Sequence, residues 1–268
     1  MPDTPSILIC GCGNMGGAML AGWLAAGFNP ARLTVVDPVL AEAPAGVLLL
    51  REVPQEQFDF VLLGIKPQML GQVAPALTPA TRGAIVLSIL AGAELATLAA
   101  AFPDAAGLVR VMPNLAAALG KSPMGLFAQG LDDGGRVAVS ALLAPLGTAE
   151  WLAGEGLLDA VTALAGSGPA FVYRFIDALA EGGAALGLDP AQADRLARAM
   201  VEGAAALAAA SPESPAELAR RVTSPGGTTA AGLSVLDDGG DFTRILAATL
   251  RAARDRGGEL ARAARGEG

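Results

Sequence analysis

The chain has 268 residues, of which 53% are hydrophobic and only 16% charged, and its formal net charge is −8. With no Lys/Arg cluster anywhere, nucleic acid is not an expected partner. It has no histidine, which excludes Ser-His-Asp triads, Cys-His dyads, zinc sites built on imidazole and dehydrogenases whose acid is a histidine.

The length suits one large domain or two ordinary ones. Leu, Val and Ile suffice for a core and for a buried subunit interface. The two cysteines, Cys10 and Cys12, lie two apart in one segment, and no other cysteine can pair with them or complete a metal site, which excludes a disulfide framework. A reducing cytoplasm is the expected compartment, and no metal is expected. Thr4 to Ala31 carries no charge, but Met1-Pro2-Asp3 offers no positive flank and glycines break the run. A strand, a glycine turn and a helix are expected there, not a membrane span.

Ile7 to Cys10 is apolar throughout, as a buried parallel strand should be. Gly11-Cys12-Gly13-Asn14-Met15-Gly16 follows, with a helix predicted over Ala18 to Ala26. Leu33 to Val36 is the second strand, closed by Asp37. Asp37 lies 21 residues past Gly16, and a ribose-binding acid is expected at roughly 20. Strand, glycine turn, helix and strand-end acid together predict a Rossmann dinucleotide site. Cys12, near a helix N-terminus, is expected to have a lowered thiol pKa.

The stretch between Pro38 and Gln57 is short and proline-bearing, which leaves little room for a proper helix. Further strands are predicted over Phe58 to Ile65, Gly83 to Ile89 and Leu108 to Met112. Helices are predicted over Met69 to Leu77, Glu94 to Ala101 and Leu115 to Leu119. This alternation predicts a parallel α/β sheet, with ligands beyond the carboxyl ends of its strands. Lys66, Pro67, Ala91, Gly92 and Asn114 fall at those ends.

Asp132 to Leu143 reads as a helix and Thr148 to Leu152 as a strand. After Trp151 the pattern turns helical, over Ala170 to Leu186 and over Pro190 to Ala210 with Asp189 as its cap. A boundary near Ala153 to Leu157 divides a dinucleotide-binding domain (1–155) from a helical domain (156–268). Small residues on several faces of these helices predict a helical homodimer.

Val222 to Thr229 then reads as a tight loop opening a helix. Pro225 fixes one φ, while Gly226 and Gly227 let the backbone approach a ligand. Gly226, Gly227, Thr228 and Thr229 can present N–H groups at a helix N-terminus, where an anion is favoured.

Five motifs carry a family resemblance along nearly the whole chain: Gly11 to Gly16, Lys66-Pro67, Val111 to Asn114, Gly166 to Ala170, and Ser224 to Thr229. The last two are highly specific. The chain resembles pyrroline-5-carboxylate reductase, the last enzyme of proline biosynthesis. The resemblance implies an N-terminal Rossmann-type α/β domain and an all-α dimerisation domain. It also implies a homodimer or a larger assembly of dimers, with a substrate site between cofactor and Ser-Pro-Gly-Gly loop, shared across the dimer. The substrate would be a small cyclic imino acid, its carboxylate held by Ser224, Gly226, Gly227 and Thr228. Thr229 would bond the ring nitrogen as the catalytic hydroxyl. Gly11, Cys12, Gly13, Asn14, Met15, Gly16, Asp37, Lys66, Pro67, Ala91, Gly92 and Asn114 would bind NADH or NADPH.

Two departures stand out. Leu115-Ala116 replaces the family's usual Thr-Pro. Asp37-Pro38, with no adjacent basic residue, leans toward NADH where many members favour the phosphorylated cofactor. Two other readings compete. A β-hydroxyacid dehydrogenase would need a lysine in the helical domain, and none follows Trp151. A non-catalytic dinucleotide-sensing module would not need intact polar groups in both loops.

Overall fold

The computed structural model describes residues 4–264. It divides into two compact units: the residues up to Gly166 together with those from Ala253 on, and Ser167–Ala252.

In the first unit, β1 (Ile7–Cys10) leads through the glycine turn to α1 (Asn14–Ala25). β2 (Leu33–Val36), β3 (Leu48–Leu50) and β4 (Phe60–Leu63) follow. No helix lies between β2 and β3, as the short proline-bearing crossover suggested. Then come α2 (Leu70–Thr81), β5 (Ile85–Ser88), α3 (Leu95–Ala101) and β6 (Gly107–Met112). β7 (Ser122–Gln129), α4 (Asp133–Leu143), β8 (Gly147–Trp151) and α5 (Leu158–Val161) complete the run.

The strands form one sheet in the order β3-β2-β1-β4-β5-β6-β7-β8. β1 to β6 are parallel, whereas β7 runs antiparallel to β6 and parallel to β8. The fold is therefore a Rossmann-type, mostly parallel sheet followed by helices.

The strands are apolar on both faces because helices cover both faces. Ile7 and Ile9 of β1 enter one core with Met19, Leu20 and Trp23 of α1 and Leu142 of α4. Leu8 and Cys10 enter the other with Leu70 and Leu77 of α2 and Leu98 of α3. Trp23 buries its ring completely and donates its indole N–H to the Leu142 carbonyl at 2.9 Å.

Two expectations need correction. β3 and β7 were not anticipated: β3 has three residues, and β7 opens Ser-Pro-Met-Gly, a poor strand signature. The helical stretch expected over Leu115–Leu119 is there at the same limits, as a short 3-10 turn that closes on Gly120 at φ 66°. The sheet is not wholly parallel, because this brief turn returns the chain at once beside β6.

The second unit contains α6 (Gly168–Ala185), α7 (Pro190–Ala210), α8 (Pro215–Arg221), α9 (Thr228–Leu236) and the start of α10 (Asp241–Ala264). α6 and α7 pack together as a helical hairpin. Asp189 caps α7 as expected, accepting from the Gln192 N–H at 3.1 Å. Among the described residues of this unit, only Ala193 and Ala197 are buried in the single chain. Val172, Tyr173, Phe175, Leu196 and Met200 are exposed. No helix among the described residues is long and apolar enough to cross a membrane.

Candidate active site

The glycine turn lies between β1 and α1, where the strand order reverses, and its three motif glycines do three different things. Gly11 has φ +86°, and a Cβ there would lie 2.8 Å from the backbone of Gly64 and Ile65. A Cβ on Gly16 would lie 2.6 Å from the Gly11 carbonyl oxygen, so only glycine lets α1 come this close to the turn. A Cβ on Gly13 would meet nothing within 4 Å. These are the demands of tight turn, close helix packing and open approach that a dinucleotide-binding turn makes. The first helical bond runs from Gly17 N–H to the Gly13 carbonyl. The N–H groups of Asn14, Met15 and Gly16 thus begin the helix without an intrahelical acceptor. The residues present fit a dinucleotide pyrophosphate.

Asp37 follows β2 and is only 7% exposed. One carboxylate oxygen accepts the Cys12 N–H at 2.9 Å, and the other accepts those of Val39 at 2.9 Å and Leu40 at 3.0 Å. Burial works to raise its pKa. The three N–H donors and the nearby Arg51 charge outweigh burial and hold the carboxyl below its usual range. Asp37 therefore ties the glycine turn to the end of β2. Arg51, just past β3, folds back over this corner, its Nη1 donating to the Asp37 and Leu40 carbonyls, each at 2.7 Å. A cavity of about 480 Å³ opens here, lined by Cys10, Gly11, Val36, Pro38, Arg51 and Glu52 among others.

Lys66 is exposed ahead of the 3-10 turn Pro67–Met69, and its carbonyl accepts the Met69 N–H. Ala91 and Gly92 form the turn after β5, closed by Ala93 N–H on the Leu90 carbonyl, with Gly92 at φ +75°. Asn114 is buried. Its Oδ1 caps the Leu115–Leu119 turn through Ala116 N–H at 2.9 Å, and its Nδ2 donates to the Ala165 carbonyl at 2.9 Å. That carbonyl belongs to a π-helical turn, Thr162–Gly166. Nothing in the sequence hinted at this structural work by Asn114. Nor did it reveal the Arg110–Glu155 pair at 2.8 Å, in which the same Glu155 oxygen accepts the Leu95 N–H at the start of α3.

In the helical unit, Gly226 takes φ +70°, and Gly227 donates to the Ser224 carbonyl at 3.0 Å before capping α9. The first bond of α9 is Ala231 N–H to the Gly227 carbonyl, so Thr228 and Thr229 begin the helix with N–H groups lacking an intrahelical acceptor. The hydroxyls divide in the same way. Thr223 donates to the Ala219 carbonyl at 2.6 Å. Those of Ser224, Thr228 and Thr229 bond no group among the described residues, and Thr228 and Thr229 are exposed. Among the described residues, no cluster of three or more His, Cys, Asp or Glu is placed to hold a metal.

Comparison with known proteins supplies the family. The chain is 36% identical to the pyrroline-5-carboxylate reductase of Pseudomonas aeruginosa over 268 aligned residues, covering 97% of this chain and 98% of that protein. The chain belongs to the pyrroline-5-carboxylate reductase family. Identity to the reductase of Methanosarcina acetivorans is 36%, covering 93% of this chain and 96% of that one. The family model for pyrroline-5-carboxylate reductase dimerisation matches residues 155–260. A model described as NADP oxidoreductase, coenzyme F420-dependent, matches residues 6–92. The solved pyrroline-5-carboxylate reductase of Coxiella burnetii superposes with a TM-score of 0.89 at 29% identity, covering 96% of this chain and 99% of that one.

Within this reductase fold, one residue missed by sequence reasoning is Gly64, at the end of β4. A Cβ there would lie 2.5 Å from the Gly11 carbonyl oxygen. Its signal was present, since a glycine closing a buried strand often marks a close backbone approach.

The expected low pKa of Cys12 is overturned. Burial of the thiol, and then the Asp37 charge, push it upward. Cys10 is pushed up to about 11 by the same two causes. Proximity to the α1 N-terminus does not lower the thiol pKa because the Cys12 side chain packs against the core. Iodoacetamide should therefore modify Cys12 slowly at pH 7 and faster as the pH is raised past 9, with saturating cofactor protecting. Mass-spectrometric rates across that range check this, and a fast rate already maximal at pH 7 would contradict it.

Proposed function

We propose that this chain reduces 1-pyrroline-5-carboxylate to L-proline, using NADH or NADPH. The observation that carries the reading is the Ser224–Thr229 loop, whose free helix-terminal N–H groups lie beside three uncommitted hydroxyls in a member of this reductase family. A bound reduced nicotinamide supplies the hydride for the imine carbon, and the ring nitrogen must carry or gain a proton. The Gly226 and Thr228 N–H groups and the Ser224 hydroxyl hold the substrate carboxylate, whereas the expected Gly227 N–H is engaged by the Ser224 carbonyl and shapes the loop instead. The Thr229 hydroxyl bonds the ring nitrogen and fixes the face presented for reduction. A neutral hydroxyl is a weak acid, so Thr229 orients the substrate more than it ionises. None of these roles calls for histidine or a metal.

The dinucleotide is held by Gly11, Cys12, Gly13, Asn14, Met15 and Gly16 at the pyrophosphate and by the Asp37 corner at the adenosine. Lys66, Pro67, Ala91, Gly92 and Asn114 form the strand-end rim toward the nicotinamide. The domain division falls at 155/156, supported by the start of the dimerisation match at residue 155, ahead of the point after Gly166 where the compact units separate. The exposed apolar side chains of α6 and α7 support a homodimer or a larger assembly of dimers. Free thiols at Cys10 and Cys12 suit a reducing cytoplasm.

A steady-state assay with pyrroline-5-carboxylate and each reduced cofactor is the test. Proline should form with both. Tight cofactor binding without turnover would favour the sensing module instead.

A further inference from the structure

Two charged groups meet at the adenosine corner, and their environments reverse the roles their sequence positions suggest. Asp37 aims its charge into the protein. Three backbone N–H groups occupy its oxygens, leaving about one of a carboxylate's roughly four acceptor positions for a ribose hydroxyl. Arg51 aims its charge outward. It is exposed, and only Nη1 donates within the protein, holding two carbonyls at 2.7 Å. Elsewhere in this unit Arg32, Arg82 and Arg110 each pair with a carboxylate. Arg51 forms no ion pair among the described residues. Its guanidinium is thus anchored at one nitrogen, while Nε and Nη2 remain uncommitted beside a cavity of about 480 Å³.

We infer that Arg51, rather than Asp37, selects the cofactor by taking the 2′-phosphate of NADPH, an inference that rests on the dinucleotide reading above. A planar guanidinium held in place offers paired N–H donors to phosphate oxygens at little ordering cost. Asp37 stays ionised, but its oxygens are turned to three N–H donors and the nearby Arg51 charge offsets part of its field, so it opposes the phosphate only weakly. Glu52 lines the same cavity and does oppose it, which keeps the preference moderate. The three-residue β3 and the absence of a helix after β2 are what bring position 51 to this corner.

The test is calorimetric binding of 2′,5′-ADP and 5′-AMP, which needs no turnover, to the full chain and its Arg51 variants. Wild type should bind 2′,5′-ADP more tightly than 5′-AMP, by about tenfold for one charge-assisted contact. The difference should shrink as salt is raised. Arg51→Ala should lose that preference and change 5′-AMP affinity little. Arg51→Lys keeps the charge without the fork and should fall between. If Arg51→Ala weakens both nucleotides equally, Arg51 is only a clamp on the 37–40 turn and the inference fails. If wild type shows no preference for 2′,5′-ADP, it also fails. If neither nucleotide nor NADH binds, the dinucleotide reading itself falls, and this inference with it.

Discussion

Thr229→Ala should lower kcat by about 10- to 1000-fold, the range for losing one positioned hydrogen bond in a transition state. Two observations set this expectation. The hydroxyl lies in the first turn of α9 with no partner among the described residues, whereas that of Thr223, earlier in the same loop, is already engaged by the Ala219 carbonyl. Removing Thr229 Oγ1 breaks no internal bond, so the fold should tolerate the change. Thr229→Ser, which restores the hydroxyl, should recover most of the activity, and NADH affinity should be unchanged in both variants. Near-normal turnover in a folded Thr229→Ala protein would remove Thr229 from the mechanism. A loss confined to KM would make it a binding residue only.

The second large effect separates two glycines only three positions apart. Gly13 has φ −71° and ψ −162°, which alanine adopts freely, and nothing in the protein lies within 4 Å of its missing Cβ. Gly13→Ala should therefore leave thermal stability within about 0.5 kcal/mol of wild type. On the proposed reading it should still weaken cofactor binding by about tenfold or more, because the methyl group would stand where the pyrophosphate is expected to approach. Gly16→Ala meets the Gly11 carbonyl at 2.6 Å, and backbone cannot move aside cheaply. It should cost about 1–3 kcal/mol of stability as well as cofactor affinity. Unfolding curves and NADH titrations on both variants check the contrast. Normal cofactor binding by Gly13→Ala would reduce the glycine motif to a packing device.

Both variants probe features that were legible along the chain, for a definite reason. The glycine turn, the strand-end acid and the Ser-Pro-Gly-Gly loop are local in sequence, and their chemistry follows from backbone freedom and from helix ends. β1, β2 and α7 were found at their observed limits because a strand buried on both faces is apolar without interruption, and because α7 has a proline start with a side-chain cap. β3 and β7 were illegible. A three-residue strand and a strand beginning Ser-Pro exist only because neighbouring strands supply their hydrogen-bond partners.

The amino-acid sequence by itself therefore determined the family, the Rossmann sheet followed by a helical unit, and the positions of the glycine turn and the Ser-Pro-Gly-Gly loop at two helix starts. What only the tertiary structure decided was where individual side chains point. Asp37 sits where a ribose acid should, yet three N–H groups from two separate segments capture its oxygens. Asn114 sits at a strand end, yet it is tied to the Ala165 carbonyl 51 residues away. Cys12 lies by a helix N-terminus, yet burial governs its thiol. In each case the outcome depends on which polar or apolar groups are brought alongside from elsewhere in the chain. Hydrogen bonding and desolvation act over a few ångströms of space, whatever the separation in sequence.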